Sequence, residues 1–133
     1  MSEFVPTPEA RDRALANAKE AGLEVVYGNA FTLQLDLDSK AETEEAKRMV
    51  RHFWDHLRVD RVVLTTSKSG NRHMFVSLKE PMDRPDRLYW QAALGSDKVR
   101  EGLNWLWFRK GYWQECMLFE VPGAQRRILK RES

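Results

Sequence analysis

Between residues 41 and 57 the apolar side chains fall at 46, 49, 50, 53, 54 and 57, a spacing that puts them on one face of a helix. The capping box Ser39-x-x-Glu42 marks where that helix starts. Just before it, in "TLQLDLD" (residues 32–38), the period changes to two. Leu33, Leu35 and Leu37 then share one face of a strand, and Thr32, Gln34, Asp36 and Asp38 share the other. "RVVLTTS" and "RHMFVSL" read as two more strands joined by a tight turn at "KSGN", a β-hairpin.

The remaining pattern completes the frame. Thr7 as N-cap, Pro8 at the first helical position and Glu9 in the first turn predict a helix over 7–21, stopped at Gly22. Two strand-like pieces around the Gly28-Asn29 turn predict a hairpin that leads into the Asp36 strand. Beyond Pro81 and Pro85, "RLYWQAAL" and "DKVREGLNWLWFRK" predict helices separated by Gly95, with Ser96 as N-cap of the second. "WQECMLFEVP" is the last expected strand and "GAQRRILKRES" a basic tail. From residue 31 the order is strand, helix, strand, strand, helix, strand. This is an α+β, RRM-like or ferredoxin-like (split βαβ) sheet with helices on one face, preceded by a helix and a hairpin. In such a sheet the first and third strands are central and the fourth lies beside the first. Asp36, Asp38, His73 and Glu120 then meet on the open face.

Composition narrows the class. The chain has 133 residues, 42% hydrophobic and 32% charged, which suits one domain over 1–133. A net charge of +2 makes no case for nucleic-acid binding by itself. The single cysteine, Cys116, excludes an internal disulfide framework and a cysteine-built zinc site. With no long apolar run and no signal-peptide pattern at "MSEFVPTPEARDR", a cytoplasmic protein without membrane contact is expected.

Chemistry enters with the two aspartates. Alternation places Asp36 and Asp38 about 7 Å apart on one face, where like charges repel unless a cation or solvent relieves them. A divalent ion and a plain solvated face both satisfy that condition. His52 and His56 have helical metal-site spacing with Asp55 beside them, but no further ligand is evident and both lie off the apolar stripe. "NWLWFRKGYW" mixes Trp105, Trp107, Phe108, Tyr112 and Trp113 with Arg109 and Lys110, as a single-strand binding surface does, but Val99, Leu103, Leu106 and Trp107 fit a helical stripe, so most of those rings read as core. Arg109, Lys110, Arg126, Arg127, Lys130 and Arg131 read as a phosphate-contacting rim or as ordinary solvated helix end and tail. Phe75 shares the face of His73 and is placed either to stack on a base or to pack.

Three segments together resemble the signatures of the archaeo-eukaryotic primase (primase-polymerase) superfamily. "LQLDLD" matches its hhhDxD strand, "TTSKSGNRHMFVSL" its small-residue turn leading to a histidine strand, and "MLFE" its final acidic strand, over roughly residues 30–121. Gln34 interrupts the first hydrophobic run, Ser69 precedes His73 by four residues, and only about thirty residues stand before the first motif. The resemblance implies a nucleotidyltransferase that moves NTP or dNTP onto nucleic acid in replication or repair. Asp36, Asp38 and Glu120 would be catalytic and bind Mg²⁺ or Mn²⁺, while His73, Ser69, Lys68 and Asn71 would hold the triphosphate. It further implies single-stranded or primed DNA as partner, a helicase or accessory DNA-binding subunit, and a phage or plasmid setting. A non-catalytic RRM-like nucleic-acid-binding module and a metal-dependent nuclease are the other classes these residues allow.

Overall fold

The computed structural model describes residues 7–67, 70, 72–112 and 116–131. Its elements are α1 (Pro8–Glu20), β1 (Glu24–Tyr27), β2 (Thr32–Leu37), α2 (Lys40–His52), α3 (Trp54–Leu57), β3 (Val59–Thr66), β4 (Arg72–Leu78), α4 (Arg84–Ala93), α5 (Lys98–Arg109), β5 (Met117–Glu120) and β6 (Gln125–Leu129). The fold is α+β and its βαββ part has the ferredoxin-like arrangement.

Leucines on alternate positions of β2 decide which way the main sheet faces. Leu33, Leu35 and Leu37 are at most 1% exposed, and each contributes roughly 2 kcal/mol through burial. They pack with Met74, Val76 and Leu78 of β4 and Val62 and Leu64 of β3. Ala46 and Val50 of α2 and Leu94 after α4 close the core from the other side. Ser39 caps α2 by accepting from the Glu42 amide at 3.1 Å, and the Glu42 carboxylate reaches back to the Asp38 amide at 2.8 Å. The helix is shorter than its apolar stripe: Phe53 (φ −101°, ψ 12°) ends it, and α3 carries Leu57 inward before Arg58 turns the chain through the left-handed region.

Strand order departs from the expected one in an informative way. The main sheet runs β2-β4-β3-β6, all antiparallel, so β2 is an edge strand rather than a central one. The fourth strand of the motif, β5, pairs instead with β1 in a separate two-stranded ribbon. The hairpin expected around Gly28-Asn29 is therefore absent. Asn29 makes a local turn, its side-chain oxygen accepting from the Phe31 amide at 2.8 Å. The basic tail supplies β6, which pairs with β3.

Polar side chains from the α4–α5 region occupy the edge of β2 that a fourth strand would have filled. Gln91 accepts from the Gln34 amide and Ser96 from the Asp36 amide, each at 3.0 Å. Arg100 donates to the Gln34 carbonyl at 3.1 Å, and the Asp97 amide donates to the Asp36 carbonyl at 2.8 Å. An exposed edge is thus satisfied without another strand. Gly95, at φ +107°, makes the turn that brings Ser96 and Asp97 there.

The same network inverts the expectation for α5. Its buried residues are Glu101 and Asn104, whereas Val99 is 72% and Leu106 43% exposed. Glu101 accepts from Gln91, Ser96, Asn104 and Arg100, so a saturated buried carboxylate, not the apolar stripe, sets the helix's orientation. Asp97, not Ser96, is its N-cap, accepting from the Arg100 amide at 2.9 Å.

Candidate functional site

One rung of the main sheet carries the candidate chemistry. Asp36 on β2 pairs with His73 on β4, His73 with Thr65 on β3, and Thr65 with Arg126 on β6. By strand parity all four side chains leave the sheet on the face opposite the leucine core. The β1–β5 ribbon crosses this face. The Gln34 amide group donates to the Val26 carbonyl of β1 at 3.1 Å, and Glu120 at the end of β5 comes down onto the rung.

Glu120 and Asp36 hold opposite sides of one imidazole. His73 Nδ1 lies 3.0 Å from Glu120 Oε1, and His73 Nε2 lies 3.5 Å from Asp36 Oδ1. The Thr65 hydroxyl donates to the same Glu120 oxygen at 2.8 Å. Burial works against charging His73, yet the hydrogen bonds and negative charges of Asp36 and Glu120 outweigh it and raise its pKa from 6.5 to about 9. For Glu120, burial acts upward, but bonds from His73 and Thr65, with the charges of His73 and Arg126, hold its carboxyl below the usual range. At neutral pH this is a carboxylate–imidazolium–carboxylate arrangement.

His73 is consequently no surface imidazole of a hairpin: it is 7% exposed and both ring nitrogens are engaged. Asp38 lies just past the end of β2 and is exposed. Its carboxyl is pushed up by partial burial and by the charges of Asp97, Asp36 and Glu42. Asp97 is the residue that the sequence pattern did not bring to the site. Its local signature, an aspartate opening a helix after a glycine turn, says nothing of a partner 61 positions upstream; only the edge hydrogen bond to Asp36 places it. Among the described residues no three His, Cys, Asp or Glu side chains are gathered as a metal-holding group. Lys68, Ser69 and Asn71, expected to hold triphosphate, lie outside the described residues.

The other residues singled out by pattern have separate settings. Phe75 is 8% exposed, with the Arg126 guanidinium 5.9 Å above its ring. His52 sits edge-on to Phe53 at 4.7 Å and His56 against Trp90 at 5.6 Å, so each packs on an aromatic ring. Arg131 pairs with Asp55 at 2.7 Å and covers Trp54. The basic side chains of the tail thus do not form one rim. No helix is long and apolar enough to cross a membrane among the described residues. Comparison with family models, curated proteins and solved structures gives no match.

Proposed function

We propose that this chain is a metal-dependent nucleotidyltransferase of the primase-polymerase type, transferring NTP or dNTP onto single-stranded or primed DNA. The observation that carries the reading is the meeting of Asp36 from β2 and Glu120 from the separate ribbon on the two sides of His73, with Asp38 two residues beyond Asp36, just past the end of β2. Carboxylate oxygens are the donors that Mg²⁺ and Mn²⁺ select. Asp38's carboxyl is pushed up first by burial and then by the charges of Asp97 and Asp36, and that crowding is charge that a divalent cation relieves. Asp36, Asp38 and Glu120 would hold the ion. Such an ion, when bound, activates an attacking 3′-hydroxyl and neutralises departing pyrophosphate. His73, charged at neutral pH, would present positive charge to the triphosphate, aided by Lys68, Ser69 and Asn71. A helicase or accessory DNA-binding subunit would be its partner on the template. A cytoplasmic setting, phage- or plasmid-borne replication included, suits a lone buried thiol at Cys116.

One observation favours a second reading, a non-catalytic RRM-like nucleic-acid-binding module. His73 engages both carboxylates with its two ring nitrogens, so the triad also serves as a polar lock between ribbon and sheet. Incubation with labelled nucleotides, primed template and Mn²⁺, alone and with helicase partners, separates the two. Transfer by the wild type that disappears in Asp36→Asn/Asp38→Asn, with strand binding retained, supports the enzyme. Transfer that persists in the double variant removes these residues from catalysis, and no transfer under any partner condition favours the binding module.

A further inference from the structure

The helix side of the main sheet carries a second charged feature of opposite sign. Lys40, Lys47 and Arg51 recur on α2 at intervals of seven and four, which keeps them on one helical face. This face looks across to β6, where alternation sends Arg127 to the helix side while Arg126 goes to the carboxylate side. Together with Arg72 of β4, Lys40, Lys47 and Arg127 line a cavity of about 290 Å³. Lys47, Arg51 and Lys130 also border a separate small void of about 10 Å³ against the core residues Val50, Val62, Met74 and Leu129.

Very little negative charge answers these six cations. Glu44 is the one carboxylate among the described residues lining the cavity, and it pairs with Lys47 at 3.1 Å. Lys40 and Arg127 both act electrostatically on Glu44, so they converge on the same space, but neither side chain makes a hydrogen bond or ion pair among the described residues. Thr43, Thr66 and Gln125 add uncharged polar groups to the wall. Eleven residue steps along α2 from Lys40 to Arg51 correspond to about 16 Å. A point phosphate needs no such length, whereas a few nucleotides of extended strand do.

We propose that the groove between α2 and β6 is a track for the phosphodiester backbone of single-stranded nucleic acid. It rests on the nucleic-acid partner of the reading above, though not on the chemistry of the carboxylates. Arg72 and His73 are successive on β4 and project to opposite faces, so the groove and the carboxylate rung occupy the two sides of the same end of the sheet. A strand leaving the groove by Arg72 would reach that rung around the sheet's end.

Fluorescence anisotropy with a labelled oligothymidylate of about twelve nucleotides, titrated across salt concentrations, tests the track. Lys40→Gln/Arg127→Gln removes two unpaired surface cations. Each phosphate contact on a single strand contributes about 0.7 to the slope of log affinity against log salt, so the variant's slope should fall by about 1.4 and its affinity at about 0.1 M salt by tenfold or more. Arg13→Gln/Lys19→Gln, the same charge change on exposed positions of α1, should lose far less. Equal losses in the two double variants would show a general charge effect and overturn the track. Wild-type binding that survives undiminished in Lys40→Gln/Arg127→Gln would overturn the groove alone. Absence of binding by the wild type would overturn both the groove and the nucleic-acid partner. A mononucleotide that competes as tightly as the oligomer would contradict a strand track in favour of a point phosphate site.

Discussion

His73 should make the stability of the metal-free protein fall between neutral and alkaline pH. Its folded pKa is raised from 6.5 to about 9, so the folded state binds the proton more tightly than the unfolded chain. The contribution is full below about pH 6.5 and is lost as pH rises through about 9. A tenfold change in proton affinity is worth about 1.4 kcal/mol, which makes the total about 3 kcal/mol. The groups facing the ring are Asp36 from β2, Glu120 from the ribbon, Thr65 from β3 and, through Glu120, Arg126 from β6. Glu120 acts at the other end: its lowered pKa gives stability that is present above its ordinary 4.5 and is lost as pH falls through the folded value. Urea denaturation in EDTA from pH 5 to 10 measures the effect. With a slope of about 2 kcal/mol per molar, the midpoint should drop by about 1.5 M between pH 6.5 and 9.5. His73→Gln should start lower and stay nearly flat there, so the difference between the two curves isolates the imidazole. A flat wild-type curve, or an equal fall in His73→Gln, would refute the reasoning.

Three smaller tests follow from the same geometry. Thr65→Val deletes the hydroxyl that donates to Glu120 and should cost about 1 kcal/mol while moving the acid limb of the stability profile to higher pH, read by the same titration. Ser96→Ala removes the acceptor of the Asp36 amide and a donor to Glu101; a loss of about 2 kcal/mol and faster hydrogen exchange at that amide are expected. In His73→Ala, nucleoside triphosphate affinity by calorimetry should fall in a protein that is destabilised yet folded; unchanged affinity would remove His73 from triphosphate recognition.

Period-two alternation in "TLQLDLD" was enough to put Asp36 on the face away from the leucines, and the capping box was enough to start α2. Those are local signals, carried by neighbouring residues. What the sequence could not carry was which strand β5 would choose. Its four residues pair with β1, and the place beside β2 goes to Gln91, Ser96 and Arg100, because side-chain donors and acceptors satisfy an edge as well as a strand does. Glu120 nevertheless reaches His73, by coming over the sheet rather than alongside it. The burial of Glu101 in place of Val99 and Leu106 was equally hidden. Hydrophobic periodicity registers apolar faces and is blind to a carboxylate whose partners come from two other segments. Asp97 joined the site for the same reason, through a backbone bond that no pattern announces.

The central claim is that Asp36, Asp38 and Glu120, delivered by two different sheets, act together on one divalent ion. Electron paramagnetic resonance of Mn²⁺ titrated into the protein with a nucleoside triphosphate present measures this directly. The account predicts protein-bound Mn²⁺ in the wild type, beyond what the triphosphate alone retains, and its loss both in Asp36→Asn/Asp38→Asn and in Glu120→Gln. Wild-type protein that binds no Mn²⁺, or a folded Glu120→Gln variant that binds it undiminished, would contradict the claim.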